Sequence, residues 1–138
     1  MPPQPSPRFA VVTRKLSRLA HIKLPAVDQD KMLKFYTDTL GLEKRADAPF
    51  GPGLRWIEVA LPDAPTTIAI TPPGPGSTPG GQDTGITFET DDARALHAQL
   101  KELGVKIDAE VTDFGPDIPP MFWLHDPEDN VLAVVQAR

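Results

Sequence analysis

Polar and apolar positions alternate from Leu19 to Pro25, with Leu19, His21 and Lys23 on one side and Ala20, Ile22 and Leu24 on the other. That period of two is the mark of a half-buried strand. The period then changes. Met32, Phe35, Tyr36 and Leu40 recur at spacings of three and four, which predicts a helix with one apolar stripe. Asp28 can cap its first amides, and Gly41 supplies the left-handed residue that ends it. After a turn-rich stretch from Asp47 to Gly53, two further strands are predicted, Leu54 to Leu61 and Thr66 to Thr71. In the first, Arg55, Ile57, Val59 and Leu61 alternate with Trp56, Glu58 and Ala60; in the second, Ile68 and Ile70 alternate with Thr67, Ala69 and Thr71.

The second half repeats this order. Gly85 to Thr90 reads as a strand, Asp91 or Asp92 as a cap, and Ala93, Leu96, Leu100 and Leu103 as the stripe of a helix stopped by Gly104. His97 falls beside that stripe and is expected on the surface. Val105 to Val111 is expected to form a strand, and Met121 to Gln136 a hairpin turning at Asp126-Pro127-Glu128-Asp129-Asn130. Met121, Trp123 and His125 share one face of the hairpin, and Phe122 and Leu124 the other. Both faces are mostly apolar, which fits a sheet covered by helices on one side and closed around a cavity on the other.

The shared order of strand, capped helix, glycine stop and strands suggests an internal duplication. The expected organisation is a single α+β domain over 17–138. Its first module spans 17–71, a Pro/Gly linker 72–84 and its second module 85–138. The linker cannot hold a regular ladder; a flap over a pocket is its functional alternative. Met1 to Leu16, proline-rich with Arg8, Arg14 and Lys15, is expected to be a mobile arm, either a solvated tail or a segment packing on a neighbouring subunit.

Composition narrows the function classes. A chain of 138 residues with a net charge of −5 and no long basic run lacks the electrostatic footprint of a nucleic-acid binder. The absence of cysteine removes disulfides, thiolate metal sites and a thiol nucleophile together. No apolar run is long enough to cross a bilayer, and a cytoplasmic location is expected from the lack of an export signal.

Four pieces in order resemble the vicinal oxygen chelate superfamily, which includes glyoxalase I, extradiol dioxygenases, fosfomycin-resistance transferases and bleomycin-binding proteins. They are His21 on the first strand, Phe35-Tyr36 through Leu40-Gly41 at the helix end, Phe88-Glu89-Thr90-Asp91-Asp92, and the Asp126 to Asn130 turn. The resemblance covers Ser17 to Arg138. It implies paired βαβββ modules forming a mixed sheet curled around a cavity, helices on the outer face, and assembly as a homodimer. Metal-dependent members of the family place one ligand on each of four strands. Carried over, those positions are His21, Ala69, Gly85 and Ala133, so three of four lack a donor side chain. A single imidazole does not hold a catalytic ion against water, and neither a metal nor another cofactor is expected.

Parity places His21, Lys23, Trp56, Glu58, Thr67, Thr87, Glu89, Met121, Trp123 and His125 on cavity-facing sides. Two tryptophans and a methionine there would offer a flat surface to an aromatic or heterocyclic ligand, unless they are core packing. Glu58 would make a cross-strand ion pair with Lys23, or, if buried beside the rings, a general base with a raised pKa. The leading expectation is a metal-independent protein that binds a small molecule. The alternative is a lyase, isomerase or dioxygenase using a relocated site of His21, His125 and Glu58 or Glu89. A third reading is a partner-binding module whose cavity is filled by side chains.

Overall fold

The computed structural model describes residues 13–138; all but the last four residues of the expected N-terminal arm lie outside them. Strand β1 (His21–Pro25) is followed by helix α1 (Gln29–Lys34), a π-helical turn (Phe35–Thr39), and strands β2 (Glu43–Pro49), β3 (Arg55–Ala60) and β4 (Thr67–Thr71). The second half holds β5 (Asp83–Thr90), α2 (Ala93–Glu102), β6 (Met121–His125) and β7 (Val131–Gln136). Two sheets result, ordered β1-β4-β3-β2 and β5-β7-β6. In each, the first strand runs parallel to its neighbour and the rest pair antiparallel. The sheets are curled and open at their edges, as expected of a two-module α+β fold.

Both helices start as the sequence predicts. Asp28 accepts from Lys31 N at 3.0 Å and Asp92, not Asp91, from Ala95 N at 3.0 Å. Gly41 and Gly104 follow the helices at φ +81° and +83°, where a side chain would be strained. The end of the first helix is irregular. Leu40 N reaches back five residues to Phe35 O at 3.0 Å, a π-bulge geometry in a segment whose Tyr36 is fully buried. Tyr36, Met32, Ile57, Ile70, Phe122, Leu124 and Leu132 belong to one continuous core shared by the two halves.

Polar contacts join the halves where the β6–β7 turn meets the start of α1. Glu128 Oε1 and Oε2 accept from Val27 N and Asp28 N at 2.8 and 2.9 Å. Tyr36 donates to Asp126 Oδ2 at 2.9 Å in the core, and desolvation, then the Asp126 charge, pushes the phenol pKa far up. Asp126 also accepts from Glu128 N, Asn130 N and Asn130 Nδ2, so its buried charge is fully engaged. Gly80 lies so close that an added Cβ would stand 2.5 Å from Glu128 O.

Four expectations are corrected. Asp47 does not open a turn; it lies within β2, whose mostly exposed, polar Glu43–Pro49 lacks the apolar alternation that marks a strand. Val105 to Val111 is not a strand, although isolated bridges pair Ile107 with Leu124 and Thr112 with Met121. Between them Asp108 N donates to Trp123 O at 3.1 Å, but Trp123 N donates to the Asp108 side chain at 2.9 Å, so a side-chain bond interrupts the ladder. His97 is buried, not exposed, with Nε2 2.7 Å from Asp108 O and its ring edge-on to Phe122. The α2 stripe is centred on Ala93, His97 and Leu100, which leaves Leu103 at its margin and 67% exposed.

Candidate functional site

Alternation along β1, β3 and β4 sends Ile22, Leu24, Ile57, Val59, Ile68 and Ile70 toward the core. It sends His21, Lys23, Trp56, Glu58 and Thr67 to the opposite face, where Thr67 is buried and Lys23 exposed. Register then fixes their spacing: His21 lies beside Thr67, and both Lys23 and Glu58 lie beside Ala69. Ala69 is fully buried, so the side chains around it cover the middle of the sheet, and the space on this face lies to one side, beside Trp56.

Trp56 is the centre of this face. Its indole N–H donates to Glu58 Oε2 at 2.8 Å, and Thr67 Oγ1 donates to Glu58 Oε1 at 2.6 Å. The carboxylate therefore anchors the ring in place. His21 meets the ring edge-on at a centroid distance of 5.3 Å, Phe50 meets it at 6.0 Å, and Lys23 Nζ stands 5.8 Å from its centroid. Beside Trp56 opens a hollow of about 250 Å³ lined by Lys23, Phe50, Trp56, Thr71 and the segment Pro72 to Ser77. That segment is folded into a tight turn, with Ser77 Oγ accepting from Gly74 N at 2.8 Å and donating to Gly74 O at 2.9 Å. The Pro/Gly stretch thus borders the hollow as well as connecting the sheets.

Two expectations about Glu58 fail. Hydrogen bonds from Thr67, then Trp56, hold its carboxyl below the ordinary range; a general base with a raised pKa is the opposite case. Nor does it pair with Lys23, because Ala69 separates the two strands that carry them. Phe50, Thr71 and Ser77 went unrecognised in the sequence. A single large apolar residue in the turn-rich stretch around Phe50 was the one available signal, since such a side chain needs a partner.

The other five candidates lie on the second sheet. Thr87 and Trp123 both face Ala133, Met121 and Glu89 face Val135, and His125 faces Val131. Phe114 meets Trp123 edge-on at 6.4 Å. His125 Nδ1 lies 2.8 Å from Asp129 Oδ1, which also accepts from Lys106 Nζ at 2.9 Å. Lys106 first, then His125, holds the Asp129 carboxyl below its ordinary range. Thr87 and Glu89 are exposed. The hydrogen bonds and ring contacts of each set stay within its own half of the chain.

The four positions carried over from metal-dependent relatives do not converge on a donor set. His21 is on β1, Ala69 is buried, and Gly85 sits at φ +70° inside a register shift, so that Thr87 rather than Gly85 faces Ala133. Among the described residues no group of three or more His, Asp or Glu is placed to hold a metal ion. His21 and His125 belong to different sheets, and one chain does not assemble them with Glu58 or Glu89. Within one chain, the described residues therefore do not supply the donor set that such an ion requires. No helix of the described residues is long and apolar enough to cross a membrane.

Residues 18–133 match the model of the Glyoxalase/Bleomycin resistance protein/Dioxygenase superfamily. The chain is 29% identical over 91 residues to the uncharacterized protein YetH of Bacillus subtilis, covering 66% of this chain and 76% of that one. Among solved structures it resembles TnmS3, an antibiotic binding protein from Streptomyces sp. CB03234, with a TM-score of 0.78 and 30% identity over 91% of this chain and 99% of that one. A superfamily member from Sphaerobacter thermophilus superposes with a TM-score of 0.79 at 30% identity, over 88% and 98% of the two chains.

Proposed function

The chain belongs to the glyoxalase/bleomycin resistance protein/dioxygenase superfamily, and from that membership we propose that it is a metal-independent small-molecule-binding protein of the bleomycin-resistance type. One observation carries the reading: Trp56, anchored by Glu58 and flanked by Phe50, presents an aromatic wall to a hollow bordered by Pro72 to Ser77. A flat ring beside a small cavity suits an aromatic or heterocyclic ligand, because it offers large contact area at small entropy cost. Binding without chemistry also agrees with a Glu58 whose two oxygens are already engaged. The antibiotic-binding relative supports a small molecule as the partner.

The working unit is a homodimer. Of the ten residues picked out by parity, Lys23 and Trp56 border the hollow; a second copy laying its Trp123 face over the Trp56 face would join the ten in one pocket, with Thr87, Glu89, Met121, Trp123 and His125 as the opposite wall. Sedimentation equilibrium should accordingly return twice the chain mass.

The binding claim is tested by titrating the protein with neutral 2-naphthamide and following the two tryptophan indole N–H resonances. Movement of the Trp56 signal is expected. A titration that leaves it unmoved at millimolar probe contradicts the reading.

A further inference from the structure

Resting on the hollow as a ligand site, we infer that it selects a planar aromatic ligand bearing an anionic group, such as a carboxylate, with Lys23 as the residue that reads the charge. The charge pattern of the lining leads there. Lys23 is the one charged residue bordering the hollow. Glu58, the carboxylate that flanks Ala69 opposite Lys23, has one oxygen on Thr67 and the other on Trp56. Among the described residues no salt bridge engages Lys23. Its ammonium instead stands 5.8 Å from the Trp56 ring centroid, a contact of modest strength at an exposed site. A ligand ring stacking on Trp56 takes over that face, and the displaced ammonium then has an anion within reach of its flexible stem.

The size of the hollow sets the rest of the specification. At about 250 Å³ it lies below the roughly 300–1,000 Å³ that enclose a drug-sized molecule, so it holds a two-ring body and leaves any remainder of a larger ligand outside. Ser77 Oγ, at the border, is committed to Gly74 and offers no competing charge. A cationic ring would meet Lys23 as a like charge and bind more weakly.

Isothermal titration with 2-naphthoate, 2-naphthamide and 2-naphthylmethylammonium tests this directly. Wild-type protein should bind the naphthoate about tenfold more tightly than the amide, the scale of one charge-assisted hydrogen bond at a partly wet site. The ammonium should bind weakest. Lys23→Gln should abolish the preference, so that this variant binds naphthoate and amide equally, whereas Lys23→Arg should keep it. Lys23 is exposed, so neither substitution threatens the fold, and unchanged melting temperatures verify this. Equal affinity for naphthoate and amide, or a preference that survives Lys23→Gln, overturns the inference while leaving the binding site standing. No binding of any of the three probes overturns both.

Discussion

Removing the hydroxyl of Tyr36 tests the joint between the two halves of the chain. Tyr36 is fully buried and donates to Asp126 Oδ2 at 2.9 Å. A hydrogen bond to a charged group contributes roughly 1.5–3 kcal/mol. In Tyr36→Phe the carboxylate keeps three other donors, so the cost should fall at the low end, about 1.5 kcal/mol. Asp126→Ala is more severe, because it strands the Tyr36 hydroxyl and the Asn130 amide in the core; about 3–5 kcal/mol is expected. The double variant should cost less than the sum, since the two changes remove one shared bond. Urea denaturation measures all three. The pH dependence gives an independent check, because Tyr36 is the single tyrosine of the chain. Its folded pKa is raised above the ordinary 10.0, chiefly by desolvation. A raised pKa contributes stability that is complete below the unfolded value and is lost as pH rises above it. Wild-type stability should therefore decline above about pH 10 more steeply than that of Tyr36→Phe, and tyrosinate absorbance should appear only on unfolding. A Tyr36→Phe cost below about 0.5 kcal/mol, or tyrosinate formed in folded protein near pH 10, refutes the reasoning.

Glu58→Gln turns an acceptor into a donor facing either Thr67 or Trp56 and should cost about 1–2 kcal/mol. Because the Glu58 pKa is depressed, its contribution is present above the unfolded value and fades as pH falls through the lower folded one. Thermal melts from neutral to acid pH should show that part of the loss in wild type and not in the variant. Gly80→Ala combines φ +80° with a contact at 2.5 Å from Glu128 O, and should destabilise by about 2–3 kcal/mol in urea titrations. Gly41→Ala, at φ +81° in open space, should lose only about 1 kcal/mol. Similar costs at the two glycines would show that Gly80 is not needed for close approach to the β6–β7 turn.

The elements legible in the sequence were those with a strong period or a specific terminator. Asp28, Gly41, Asp92 and Gly104 marked the helix ends, and the hairpin around Asp126 kept its face assignment, with Phe122 and Leu124 in the core and Trp123 outside. Polar β2 was missed because its side chains are mostly exposed and carry no alternation. His97 was misplaced because a histidine on a helical stripe reads as polar until its partner, the Asp108 carbonyl, is known. For the candidate residues, the strand face was legible and the sheet was not. Parity separated Lys23, Trp56 and Glu58 from the core, but alternation along a strand says nothing about which strands share a sheet. The split of the ten residues between two sheets was therefore not legible. The direction of the Glu58 pKa shift was beyond reach for a similar reason, since it depends on Thr67, which lies on the adjacent strand.

The most direct measurement is the melting temperature of the protein with 2-naphthoate, before and after chelation and again in Trp56→Ala. At 100 times its dissociation constant a ligand adds about 2.7 kcal/mol, a rise of about 5 °C or more for a chain of this size. The account predicts that the rise survives chelation undiminished and disappears in Trp56→Ala. A rise abolished by chelator, or one that persists without the Trp56 ring, contradicts it.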